Sequence, residues 1–212
     1  MIDWGDGTVE QITSSDDATH VYATAGTYTV AIKGQFPHIE MYSEDSDGRG
    51  EKLMSIEQWG TGQWESMYDA FSECGNMVYN ATDIPDLSQV TDMAYMFSGA
   101  TAFNESIDSW DVSNVTNISQ MFSMSDFNQD ISTKTNVTMN EKTYTAWDVS
   151  KATKMNNMFN GAEIFNQNIG NWNVFKVNNM SNMFNGAKTF NQEIQNWDVS
   201  NVTNMSFMFM NT

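Results

Sequence analysis

Histidine, cysteine and proline are nearly missing from this chain, which has two, one and two of them respectively. A single cysteine, Cys74, excludes an intrachain disulfide framework. His20 and His38 stand alone, without the Cys/His spacing that holds zinc. Positive charge is scarce too: nine Lys and Arg face 27 Asp and Glu, a formal net charge of -18. That balance argues against nucleic acid and anionic membrane surfaces as partners, because both repel an acidic protein. No apolar run approaches the roughly 18 residues of a membrane span, so membrane insertion is not expected. A Gly-rich phosphate loop and a Ser held in a strained elbow are also lacking. Acid pairs such as Asp16 with Asp17, or Asp108 with Asp111, are common by chance in so acidic a chain. The sequence therefore offers no convergent catalytic constellation, no cofactor site and no metal ligand set.

What is abundant is a repeated sentence. Trp110, Trp147, Trp172 and Trp197 each open a unit of the form Trp-Asp/Asn-Val-x-x-Val/Ala-x-x-Met/Ile-x-x-Met-Phe. The last three tryptophans are 25 residues apart. A fixed period of roughly 20–30 residues marks a solenoid. The Trp-Asp pairs are not those of a β-propeller, whose blades repeat at about 40–45 residues with a Gly-His partner absent here. Units end at Ala70-Phe71, Met96-Phe97, Met121-Phe122, Met158-Phe159, Met183-Phe184 and Met208-Phe209. One interval is long because it holds a polar insertion near residues 132–145, expected as a protruding loop or small hairpin.

Inside a unit, Val202, Met205, Met208 and Phe209 fall at i, i+3, i+6 and i+7, a stripe that implies about two turns of helix. Ser88, Ser113, Ser150 and Ser200 stand where a helix N-cap would. Phe175 replaces that serine in one unit, so its helix is expected to start less crisply. The next stretch, Phe190-Asn-Gln-Glu-Ile194 and its copies, alternates like a short strand. The expected fold class is α/β: a leucine-rich-repeat-like solenoid with one short strand and one short helix per ~25-residue coil. A column of asparagines, Asn104, Asn128, Asn166 and Asn191, is expected to bond the backbone of neighbouring units. The tryptophan column reads as core. Cys74 stands where Ala100, Ala162 and Ala187 stand later, and so reads as a small buried residue.

Residues 1–36 alternate in the strand manner, with Tyr28, Val30 and Ile32 on one face of Thr27–Lys33. Residues 37–52 form a connector, and 53–212 the array of about six units. The connector carries Ser43, Asp45, Asp47 and Gly48 at calcium-loop spacing, but Met54 stands where a bidentate Glu is wanted, so a solvated acidic turn is the preferred reading. The chain begins inside a turn-rich motif and stops inside a repeat. We expect it to be a segment of a longer protein, with signal and anchor outside it.

Two resemblances bear on the expected role. Ile2-Asp-Trp-Gly-Asp-Gly7, His20-Val-Tyr22 and Gly26-Thr-Tyr-Thr-Val30 resemble the latter part of a PKD-type β module. This partial module is expected to cap the array N-terminally as a small β-sheet. Trp-Asp-Val-Ser-x-Val-Thr-x-Met-x-x-Met-Phe-x-Gly-Ala-x-x-Phe-Asn-Gln-x-Ile resembles the BspA-like leucine-rich repeats of bacterial surface proteins. Pro85 for Trp, Asn173 for Asp and Phe175 for Ser depart from that pattern. The resemblance implies an extracellular or cell-surface protein with roles in adhesion. The expectation is a non-catalytic binding module for a protein or peptide partner; a structural spacer projecting other domains is the alternative. The expected face consists of the outward residues of the strand-like stretches, Glu105, Gln129, Gln167 and Gln192, with their neighbours Asp130, Asn168 and Glu193, and it can extend to the insertion at 132–145. The unfinished last unit also suggests end-to-end pairing.

Overall fold

A computed structural model describes residues 1–12, 18–41, 48–139 and 141–212. The acid pair Asp16 and Asp17, and residues 43–47 of the calcium-like spacing, lie outside the described residues. The chain divides into two compact units, Met1–Phe36 and Pro37–Thr212.

The first unit is a small antiparallel sheet of two-residue strands, β1 (Ile2–Asp3), β2 (Val9–Glu10) and β3 (Ala31–Ile32), in the order β2-β1-β3. Ile2 pairs with Glu10 on one side and Ile32 on the other. The strand expected over Thr27–Lys33 is thus confined to Ala31–Ile32. The Gly-Asp-Gly turn needs its first glycine. Gly5 has φ +80°, and a Cβ there would sit 2.5 Å from the Thr29 carbonyl oxygen. Behind the turn, His20 stacks on Trp4 at 4.9 Å and meets Asp6 at 2.8 Å. The His20 hydrogen bond pulls the Asp6 carboxyl down to about 2. Tyr22 donates to the Trp4 carbonyl and stacks on Tyr28.

In the second unit the expected α/β solenoid does not form. The one α-helix among the described residues is α1 (Arg49–Lys52), four residues that precede the repeats. Strands are equally sparse: β4 (Ser55–Ile56) pairs in parallel with β5 (Val78–Tyr79), and β6 (Lys134–Met139) forms a hairpin with β7 (Lys142–Ala146). Neither the Met-Phe stripes nor the Phe190–Ile194 stretch and its copies are helix or strand.

Hydrogen-bond destinations explain why. In the Met-Phe segments, alternate N–H groups leave the unit altogether. Met155, Asn157, Phe159 and Gly161 donate to the carbonyls of Asn179, Ser181, Met183 and Asn185, and Met180, Asn182, Phe184 and Gly186 repeat the pattern onto the final unit. The remaining spacing of three is served by turns such as Met158 N–H to Met155 O and Ala162 N–H to Phe159 O. Two left-handed residues recur in each unit, among them Tyr95, Gln120, Asn157, Asn182 and Phe207 at one position, which no α-helix tolerates. The apolar stripe was real, but it is a stripe of successive turns.

The serines are not helix caps either. Asp86, Asp111, Asp148 and Asp198 accept the N–H of Ser88, Ser113, Ser150 and Ser200 two residues on. Asn173 does the same for Phe175 (3.2 Å), so Phe175 does not weaken its turn.

Burial follows the repeat. Phe97, Phe122, Phe159 and Phe184 stack unit upon unit with centroids 5.6–5.9 Å apart. Trp147, Trp172 and Trp197 form a second column whose indole N–H groups reach back to the carbonyls of Ile107, Ile131 and Ile169. These rings are core filling with a satisfied polar edge. Cys74 is fully buried with Ala100, Ala162 and Ala187, and burial pushes its thiol up to about 12, leaving it inert at neutral pH. On the final unit Met205, Phe207, Phe209 and Met210 remain exposed.

The asparagines tie the units together. Asn104, Asn128 and Asn166 each accept, through Oδ1, the backbone N–H of the next asparagine in the column, at 2.8–2.9 Å. Asn128 Oδ1 also takes the Gln167 amide at 2.9 Å. Asn128→Ala would leave the Asn166 N–H half-buried and unpaired. It should cost about 1–2 kcal/mol of unfolding free energy, read by urea titration. A loss below about 0.3 kcal/mol would mean that water replaces the amide without penalty.

Candidate functional site

The tie just described divides the expected ligand face in two. Gln129, Gln167 and Gln192 are half-buried and give their amide N–H groups to the asparagine of the preceding unit. Glu105, at the head of the same column, accepts the N–H of Asn104. The three glutamines are stitching between units, and Glu105 is turned back onto its own unit. Asp130, Asn168 and Glu193, one residue further on, are exposed.

Four of the seven expected residues come together. Asp130, Gln167, Asn168 and Glu193 line an open groove of about 620 Å³, joined by Ser132, Gly170, Asn171 and Asn196. Glu105, Gln129 and Gln192 do not line it. Sequence reasoning missed the second four. Their signal was the short stretch between Ile and Trp, which reads Asp108-Ser109, Gly170-Asn171 and Gln195-Asn196 in three of the units, while the flanking Ile and Trp stay constant. In the fourth unit, Ser132 stands at that place and the insertion opens directly after it.

The insertion is anchored at its base beside this groove. Thr133 exchanges two hydrogen bonds with the Asn171 side chain, at 3.1 and 3.0 Å. Lys134 bridges Asp108 at 2.6 Å and Asp130 at 3.0 Å. Further out, Lys142 meets Asp111 at 3.0 Å and Tyr144 donates to the Ser109 carbonyl. The β6–β7 hairpin is therefore pinned to the acidic edge of the third unit at several points.

Electrostatics follow from these contacts. Burial works against ionising Asp130, but the Ser132 N–H and the Lys134 ammonium outweigh it and hold its carboxyl below the ordinary range. Lys134 shows the complement: desolvation disfavours its charge, yet Asp108 and Asp130 raise it above the usual lysine range. Both ions are part-exposed, so each pair contributes only about 0.2–1 kcal/mol.

Gly170 holds the groove wall. A Cβ at this position would lie 2.2 Å from the Glu193 carbonyl oxygen, so only glycine lets the two units approach this closely. Among the described residues, no three His, Cys, Asp or Glu side chains are placed to share a metal ion. No helix among them is long and apolar enough to cross a membrane.

Fold and groove together define a turn-rich repeat protein, its units bonded edge to edge, with an open polar groove across three of them. The family described as a Mycoplasma protein of unknown function, DUF285, matches residues 40–145 and again 132–212, and the chain belongs to it. No curated protein and no solved structure matches the chain.

Proposed function

We propose that this chain is a non-catalytic binding module of a bacterial cell-surface protein, taking a protein or peptide partner along its polar face. The observation that carries the reading is the groove of Asp130, Asn168, Asn171, Glu193 and Asn196. It is assembled from three units, and it lies where the copies of the repeat differ from one another. Positions needed only for stacking are nearly constant between copies, whereas the place of Asp130, Asn168 and Glu193, directly before the constant isoleucine, reads Ser, Asp, Asn and Glu in successive copies. An open, mainly polar groove suits an extended segment with its own hydrogen-bonding groups. The BspA-like character of the repeats adds the expectation of an adhesive role outside the cell.

The test is a screen of the protein against matrix proteins and their peptides, repeated with Asn196→Trp. Asn196 is exposed, so the indole fills the groove without disturbing the core. Binding should fall at least tenfold while Tm stays within about 1 °C. A partner bound equally well by the variant would remove the groove from the reading. A spacer role is the second reading, favoured by the unbroken asparagine and tryptophan columns. It predicts that no groove substitution alters any binding.

A further inference from the structure

The groove's hydrogen-bonding groups are unevenly spent, and this narrows the chemistry of what fits there. The Gln167 amide N–H groups are committed to Asn128. Both ends of the Asn171 amide are committed to Thr133. Asn168 Oδ1 accepts the Gly170 N–H, and one Asp130 oxygen accepts the Ser132 N–H. The Glu193 carboxylate and the Asn196 amide make no hydrogen bond to another described side chain or backbone group. The Glu193 carboxylate is acceptor-only, and two of the groove's donor amides are already used. The groove therefore offers more acceptors than donors.

One cation already uses this chemistry. Lys134 Nζ reaches Asp130 at 3.0 Å from the base of the hairpin, which leaves the Glu193 end without a cation of its own. The lining contains no aromatic or aliphatic side chain, so neither a ring platform for a sugar nor a pocket for an apolar anchor is present. A net charge of -18 draws cationic partners towards the whole surface.

We propose that the groove takes an arginine side chain from an extended basic segment of a partner protein, with Glu193 as its principal acceptor. The inference rests on the binding-module reading above and names the partner's chemistry. A guanidinium matches the site because its planar fork presents several donors and no acceptor, and carboxylates hold it in two-point contact. Asn196, beside Glu193, supplies an amide oxygen for a remaining N–H.

The experiment is an amide-resolved NMR titration of the 212-residue protein with two acetylated, amidated octapeptides. One carries two arginines, and the other has citrulline at both, which keeps the shape and removes the charge. The arginine peptide should shift the amides of Gly170, Asn171, Glu193 and Asn196. The citrulline peptide should bind at least tenfold more weakly. Glu193→Gln should weaken the arginine peptide about fivefold or more, whereas Glu65→Gln, an equal charge change in the first repeat unit, should leave it within twofold. Equal binding of both peptides at the groove would overturn the arginine proposal and leave the peptide-binding reading standing. Shifts spread over the acidic surface and indifferent to Glu193→Gln would overturn it as unspecific attraction. Absence of binding by either peptide at millimolar concentration would count against both.

Discussion

Phe159→Ala should lower the unfolding free energy by about 3–5 kcal/mol, the usual cost of emptying a well-packed aromatic site. Phe159 has no solvent exposure, and four rings surround it: Phe165 at 3.8 Å, Phe184 at 5.6 Å, Phe122 at 5.8 Å and Trp172 at 6.5 Å. Neighbouring units are tied on both sides by inter-unit N–H donors, so they cannot easily collapse into the hole. For a chain of this size the loss corresponds to a Tm drop of roughly 6–20 °C. Phe209 occupies the same place in the last unit, stacks at 5.6 Å on Phe184 alone and is 50% exposed. Its alanine variant should cost less than half as much. Thermal melts of both variants by circular dichroism make the comparison. Equal losses at the two positions would show that position in the stack, and hence the ring column, does not set stability.

Gly170→Ala should produce the second large effect, by a different mechanism. The added methyl lands 2.2 Å from a backbone oxygen, not from a flexible side-chain tip, so one of two units must move. Overpacking of this kind costs about 1–3 kcal/mol. The segment displaced is the one bearing Glu193, so partner binding at the groove should fall along with stability. Gly62→Ala is the matched control: its Cβ would meet nothing within 4 Å and its φ is not left-handed. That variant should be neutral, or more stable by up to about 1 kcal/mol through a less flexible unfolded chain. If Gly170→Ala melts with the wild type, the close approach of Gly170 to Glu193 has no energetic weight.

These two substitutions mark the division between what was readable in the chain and what was not. The 25-residue register, the inward tryptophan, methionine and phenylalanine columns and the small buried place of Cys74 all follow from lining the units up. Like residues at like positions must pack on like residues when units repeat. The linking role of the asparagines was legible for the same reason, because an amide repeated once per unit can satisfy a backbone group repeated once per unit.

Local conformation was not legible. A spacing of three to four apolar residues is shared by helices and by chains of β-turns, and the sequence pattern does not separate them. The decision lies in where the N–H groups of residues such as Asn157 and Phe159 go. In a helix they would stay within four residues, whereas here they reach Ser181 and Met183 of the next unit. That choice requires the neighbouring unit to be present, so it belongs to the tertiary structure.

The groove divides in the same way. The sequence marked Gln167 and its copies as outward-facing, with Asp130, Asn168 and Glu193 as their neighbours; the three neighbours are exposed, whereas Gln167 is half-buried. That Gln167 spends its amide on Asn128, and that Asn171 is tied to the foot of the hairpin, depended on contacts 38 and 39 residues apart. By itself the sequence determined the repeat and its buried columns, through the periodicity of apolar and amide side chains. Only the tertiary structure decided that the units are turns and not helices, and which polar groups remain free in the groove, because both depend on hydrogen bonds completed between units.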